Sequence, residues 1–310
     1  MKENSCLAIV VAIKANYFFV EISIKSLKNN PFSSEKDTNV RFLCTARNRI
    51  NYQGEQIRVG DLVLIESIDW INFKAVISQV QPRTNYMIRP SVANVDKIFL
   101  VFSCKKPDFD IDQVTRFLIT AEQIDLDICI LLSKSDLLSE QAINSQLKRI
   151  KTWGYDSLSV SVKSNNGINT LIDRISSFKI SLFCGPSGVG KTSLINKLLP
   201  HVRLPEGNLS KKLQRGSNTT RHVELFSLAN ESRIADTPGF NRPDIMVGKE
   251  NLQWTFPEIK SQLLQKRCKF RNCLHKDELG CEINKDWERY SIYRRYLDKC
   301  IKFPRPYQED

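Results

Sequence analysis

No apolar run in the sequence approaches the roughly 18 residues that a membrane-crossing helix needs, so a span is excluded. The amino end, Met1-Lys-Glu-Asn-Ser-Cys-Leu7, lacks the extended apolar core of a secretory leader. No internal repeat and no long low-complexity tract interrupts the chain, and its 41% hydrophobic and 26% charged residues describe a folded protein. A cytoplasmic, non-membrane protein is expected. Acidic residues are also in short supply: 34 Asp and Glu face 46 Lys and Arg, leaving a net charge of +12. Such an excess favours a polyanionic partner, or else a solvated basic surface. The excess sits at both ends, with 12 basic against 8 acidic residues in 1–90 and 13 against 9 in 257–310. Six of the nine cysteines are scattered among apolar neighbours, as small core residues are in a reducing compartment.

At 310 residues the chain has room for two or three domains. Residues 1–85 read as about five short strands separated by turn-rich pieces, which suits a small OB-like β-barrel. Such a barrel either binds nucleic acid or merely packs on its neighbour. Residues 86–242 alternate apolar strands with amphipathic helices, the pattern of an α/β domain with a mostly parallel sheet. Residues 243–310 lose that alternation and become basic, cysteine-containing and helical.

Chemistry concentrates at the predicted strand ends. Gly185-Pro186-Ser187-Gly188-Val189-Gly190-Lys191-Thr192, followed by Ser193, is a complete phosphate-binding loop between a strand and a helix. Its backbone N–H groups suit phosphate oxygens, Lys191 the outer phosphates and the Thr192 hydroxyl a Mg²⁺ ion. Beyond it, a polar stretch at 205–221 offers Thr220 as a switch residue touching Mg²⁺ and the γ-phosphate. Asp236-Thr-Pro-Gly239 then ends a strand, its carboxylate suited to water-mediated Mg²⁺ binding and Gly239 to the γ-phosphate. Lys191, Thr192, Thr220, Asp236 and Gly239 are the expected catalytic set.

Base choice is expected upstream. Ser133-Lys134-Ser135-Asp136 follows a buried strand where GTPases carry Asn-Lys-x-Asp. The Asp136 carboxylate would accept from the guanine N1–H and 2-amino group, and Lys134 would cover the base. Ser161-Val162-Lys163 resembles the loop that backs the guanine oxygen with a backbone N–H. Ser133 replaces the usual Asn, so weaker nucleotide binding with unchanged base preference is expected. These base-reading pieces precede the phosphate loop, the reverse of the order in ordinary small GTPases, so the domain is circularly permuted. Phe240 stands where a water-orienting glutamine is often found, so hydrolysis should be slow alone. Asn218, Arg221 or a potassium ion are candidates for the missing group.

Cys268, Cys273, His275 and Cys281 follow the spacing C-x4-C-x-H-x5-C, a closed tetrahedral set for one structural Zn²⁺. After it, Trp287, Tyr290, Tyr293, Leu297 and Ile301 recur at helical spacing, a stripe expected to pack on the metal loop. Lys285, Arg289, Arg294, Arg295, Lys299 and Lys302 surround that stripe, either meeting RNA phosphates or forming a solvated face.

In this order, barrel, permuted GTPase domain and metal module, the whole chain resembles the circularly permuted ribosome-assembly GTPases of the RsgA (YjeQ) type. Pro82-Arg-Thr-Asn85, Arg89-Pro90, Arg215-Gly216 and Thr219-Thr220-Arg221 match further. Asn218 departs from the family's common histidine. The resemblance implies a monomeric factor for late maturation of the small ribosomal subunit, which binds the 30S particle and its rRNA in the GTP form, with barrel and zinc module as clamps, hydrolyses GTP faster there and leaves as GDP forms. Two other readings stay open: an RNA-binding module whose GTP site is occupied but not turned over, and a nucleotide-dependent metallochaperone.

Overall fold

The computed structural model describes residues 5–23, 39–47, 56–87, 90–200, 223–228, 231–236, 245 and 247–303, with Asp236 described by its backbone alone. Thr220, Gly239, Phe240, Asn218, Arg221, Arg89 and the Arg215-Gly216 pair lie outside the described residues.

Five strands rich in β-branched and aromatic residues come first: β1 (Cys6–Lys14), β2 (Tyr17–Ser23), β3 (Asn39–Ala46), β4 (Leu62–Asp69) and β5 (Lys74–Val80). They pair in the order β1-β2-β3-β5-β4, and β4 returns to β1, closing the expected barrel and leaving no free edge among these strands. Val10, Val20, Ile22, Phe42, Val63, Ile65 and Ile77 fill its interior. Trp70 and Phe73, from the β4–β5 turn, meet the Phe42 ring edge-on.

The family-like Pro82–Asn85 stretch turns out to be a joint at the barrel exit. The Arg83 guanidinium grips the fully buried Asp61 carboxylate through Nε–Oδ1 at 2.6 Å and Nη2–Oδ2 at 2.8 Å. Asn85 exchanges two hydrogen bonds with the Val95 backbone, and Asn94 donates to Gly60 O at 2.9 Å. Gly60 itself has φ +90°, and a Cβ there would stand 2.1 Å from Ala93 O, so no other residue fits. A short ladder of β6 (Tyr86–Met87) with β7 (Val92–Ala93) completes the exit.

The nucleotide domain contributes β8 (Lys97–Ser103), β9 (Asp127–Ser133), β10 (Asp156–Ser159), β11 (Ile180–Cys184), β12 (Glu224–Ser227) and β13 (Arg233–Asp236). Their spatial order is β10-β9-β8-β11-β13-β12, parallel except for β12. Strand β8 is buried along its entire length because helices cover both faces. Its Ile98, Leu100 and Phe102 face α1 (Ile111–Glu122) and α2 (Glu140–Thr152), while Phe99 and Val101 face α3 (Ile168–Ser176) and α4 (Lys191–Leu198). Helix α1 starts at Asp110, whose carboxylate accepts from the Asp112 and Gln113 amides, and α2 starts at Ser139.

The C-terminal region holds α5 (Pro257–Leu263) and α6 (Tyr290–Lys302) around an irregular cysteine-bearing loop. Trp287, Tyr290, Tyr293 and Leu297 pack inward as expected, Phe256 and Tyr293 meeting edge-to-face at 5.1 Å between centroids, whereas Ile301 at the helix end is 44% exposed. Among the stripe's charged neighbours, Arg289 is a correction to the sequence reading. Arg289 has 0% exposure and offers nothing to RNA. It donates to Glu258 through Nε at 2.8 Å and Nη2 at 2.6 Å, and its guanidinium lies over the Trp153, Tyr155 and Phe256 rings. Arg295 pairs with Asp112, Arg294 with Asp277, and Lys285 Nζ donates to Lys276 O. Arg294 and Arg295 keep 43% and 51% side-chain exposure in those pairs, and Lys299 and Lys302 are exposed, so these four helix cations remain at the surface. Two further contacts, Trp153 Nε1 donating to Glu288 at 2.8 Å and Lys260 pairing with Glu122, fasten this region to the nucleotide domain.

Candidate functional site

Three loops lie at the carboxyl ends of parallel strands of one sheet, where such folds bind ligands. The phosphate loop follows β11, the Ser133–Asp136 loop follows β9, and the Ser161–Lys163 loop follows β10. Gly185 has φ +147°, and a Cβ there would meet Val101 O at 2.2 Å, so the loop can leave the sheet only with glycine. Gly190, at φ +91°, caps α4 and aims the helix amino end back into the loop.

The upstream base-reading loop and the downstream phosphate loop meet directly. Ser133 Oγ lies 2.5 Å from Val189 O and 3.2 Å from Phe102 O. Its one proton serves one acceptor at a time, yet the tie to the phosphate loop that an asparagine would make is present. Lys134, in the left-handed region at φ 55°, donates from Nζ to Gly188 O at 2.7 Å and also to Lys106 O. Ser161 Oγ donates to Asp136 Oδ1 at 2.6 Å, leaving Oδ2 of that exposed carboxylate available. The Ser135 amide bonds Val160 O at 3.2 Å, while its buried hydroxyl has no protein partner among the described residues. Lys191 Nζ folds across the phosphate loop onto Gly185 O and Pro186 O, both at 2.7 Å. Ser187 and Gly188 are exposed, Thr192 and Ser193 are half-buried at the amino end of α4, and Val162 and Lys163 are exposed beside the base loop. Asp236 ends β13, paired to Phe183 of β11.

The second cluster is the metal-type set. The donor atoms of Cys268, Cys273, His275 and Cys281 all lie within 4.8 Å of one another. His275 Nδ1 stands 3.6 Å from both Cys268 Sγ and Cys281 Sγ. Metal–sulfur and metal–nitrogen bonds of ~2.3 and ~2.05 Å at a tetrahedral angle require about 3.6 Å between those donors, so a small tetrahedral cation fits. Burial lowers the His275 pKa and keeps the ring neutral, as ligation requires. Burial, with Cys281 and Cys268 adding to it, pushes the Cys273 thiol up to about 12, a penalty that a bound cation reverses.

Sequence reasoning missed the groups that hold these ligands. His275 Nε2 faces Gln253 Oε1 at 2.6 Å, which fixes Nδ1 as the ligating nitrogen. Glu278 accepts from the Leu274 and Lys276 amides, and Tyr293 donates to Leu274 O at 2.6 Å. Gln253 carries no local signal, because it reaches the histidine only through the tertiary fold. On the outside of the same loop, Lys266, Arg267, Lys269 and Arg271 are exposed and enter no ion pair among the described residues. Phe270, beneath the Lys269 ammonium, is half exposed.

A family model described as RsgA GTPase matches residues 80–246, more than half of the chain. A Prochlorococcus marinus (strain NATL1A) protein named Small ribosomal subunit biogenesis GTPase RsgA is 48% identical over 307 residues, 99% of this chain and 98% of its own. The chain belongs to the RsgA GTPase family. A relative of the same name from Parasynechococcus marenigrum is 44% identical over 303 residues, 98% of this chain and 98% of its own. Among solved structures, YjeQ from Thermotoga maritima matches with a TM-score of 0.75 and 28% identity, covering 96% of this chain and 99% of that one. YloQ, titled a circularly permuted GTPase, matches at 0.74 and 26%, covering 98% of each. This RsgA-family chain is accordingly a GTP hydrolase with a permuted nucleotide domain, an OB-like barrel before it and a Cys₃His cluster able to hold a metal ion after it. No helix among the described residues is long and apolar enough to cross a membrane.

Proposed function

We propose that this GTPase acts in small ribosomal subunit biogenesis, binding the 30S particle and its rRNA with GTP in place and leaving once GDP forms. The observation that carries it is the bridge from Ser133 and Lys134 to Val189 and Gly188, which joins loops encoded in permuted order and supports reading them as one guanine-nucleotide site. The near full-length relatives named for this process supply the context.

In this reading Asp136, held by Ser161, selects guanine, and Lys134 covers the base from its position over Gly190. Lys191 leaves Gly185 O and Pro186 O for the outer phosphates as nucleotide enters. Thr192, Thr220 and Asp236 would hold a Mg²⁺ ion, which would supply charge neutralisation to the outer phosphates, and Gly239 is the residue assigned to the γ-phosphate. With Phe240 unable to orient water, turnover is slow until the ribosomal particle supplies or orders the missing group. The working divisions are 1–85, 86–242 and 243–310, in a cytoplasmic monomer. Zn²⁺ in the Cys₃His set is structural, since four protein donors leave no open position. The cations that meet rRNA phosphate from this module are Lys266, Arg267, Lys269 and Arg271, with Phe270 available to stack on a base.

The test is co-sedimentation with 30S particles in GTP and GDP, comparing wild type with Lys191→Ala and Cys273→Ser. GTP-dependent pelleting that both variants lose supports the reading. Wild-type protein that stays in the supernatant with either nucleotide, or turnover indifferent to 30S particles, would overturn it.

A further inference from the structure

The barrel touches the nucleotide domain at a mechanically informative place. Strands β12 and β13 form the hairpin between the polar 205–221 stretch and Asp236. One side of this hairpin pairs with barrel strand β1, Ala12 opposite Glu224. Its other side pairs with β11, the strand that feeds the phosphate loop. Val11 of the barrel shares one apolar core with Leu225 and Ala235 of the hairpin.

A polar clamp lies over that core. The Glu21 carboxylate, on β2, is buried at 7% exposure. Its Oε1 accepts from Arg41 Nε at 3.3 Å and Nη2 at 3.2 Å, and its Oε2 accepts from Ser227 Oγ at 2.5 Å. Arg233 Nε, on the opposite hairpin strand, stands 3.6 Å from the same oxygen. Arg41 then reaches on, donating from Nη1 to Glu224 Oε1 at 2.9 Å. Glu224 is the residue directly across the ladder from Asp236. At the turn end, Ser23 Oγ donates to Glu231 Oε1 at 2.7 Å.

A joint that only had to hold would be at least as stable if apolar, because burying the Glu21 carboxylate and the Arg233 guanidinium is costly. Directional charged contacts do something that apolar packing does poorly: they fix register. Burial alone lowers the Arg233 pKa, and the Glu21 charge opposes that shift.

We propose that Glu21 and Arg41 are positioning residues for GTP hydrolysis: from the barrel they hold the β12–β13 register, and with it the backbone at Asp236, so the barrel governs the magnesium side of the reaction. This rests on the reading of Asp236 as the carboxylate facing Mg²⁺. The clamp touches neither Asp136 nor Lys191, so base selection and phosphate gripping are independent of it.

The test is steady-state GTP turnover by the full chain across a Mg²⁺ titration, for wild type, Glu21→Gln, Arg41→Ala and Arg41→Lys, with melting temperatures alongside. Losing a charge-assisted hydrogen bond of this type should raise the half-saturating Mg²⁺ concentration about tenfold in Glu21→Gln and Arg41→Ala. It should lower kcat with KM for GTP and preference over ATP retained, and Arg41→Lys should recover part of the loss. Arg41 is 40% exposed, so its variants fold even if Glu21→Gln does not. Folded variants with wild-type Mg²⁺ dependence overturn the proposal alone. A wild-type enzyme indifferent to Mg²⁺ overturns the reading of Asp236, and the proposal with it.

Discussion

Ser133 shows what a single side chain can and cannot announce. From its size, a serine in place of asparagine predicts weaker nucleotide binding, and the contact it does keep is the hydroxyl at 2.5 Å from Val189 O, because β9 delivers it to the phosphate loop. The residue type was legible, but its reach depends on backbone placement. Ser133→Ala should weaken GTP and GDP binding alike by about tenfold, with preference over ATP kept, as titration with labelled nucleotides would show. Asp136→Ala should instead abolish that preference. Glu288 offers a pH readout. Hydrogen bonds from Arg149, against an opposing burial effect, and from Trp153 hold its carboxyl below the ordinary 4.5. A lowered folded-state pKa means its stabilisation is complete above about 4.5 and fades as pH falls through the depressed value. The stability gap between wild type and Glu288→Gln, measured by urea unfolding, should therefore be widest near neutrality and close in acid.

Among the elements, the metal loop was the most legible and its surroundings the least. Four ligands at C-x4-C-x-H-x5-C spacing name themselves, whereas Gln253, Glu278 and Tyr293 hold that loop from positions with no sequence periodicity in common. The same limit explains Arg289. A cation beside an aromatic stripe resembles a solvent-facing residue until Trp153, Tyr155 and Phe256 close around it. A metal held by the Cys₃His cluster would order its loop, so chelation should raise amide exchange across residues 264–283 while GTP binding persists, since no proposed nucleotide-site residue comes from that loop. Exchanging Lys269 and Arg271 for Glu should weaken RNA binding and flatten its dependence on log salt by about 1.4, at ~0.7 for each single-strand phosphate no longer neutralised.

For the whole molecule, element order carried most of what could be known in advance. Base loop, phosphate loop and strand-ending Asp236 appear in permuted sequence, and the sheet order β10-β9-β8-β11-β13-β12 reassembles them into one site. How barrel and nucleotide domain meet was not legible, because Glu21, Arg41 and Glu224 are far apart in the chain and individually look like surface charges. Their meeting extends the ladder through eleven strands without a break. Such continuity has a thermal consequence. Melting the barrel strips β12 of its outer partner, so calorimetry of the intact protein should register barrel and nucleotide half as a single endotherm, and a cut between them should yield two halves that each melt earlier.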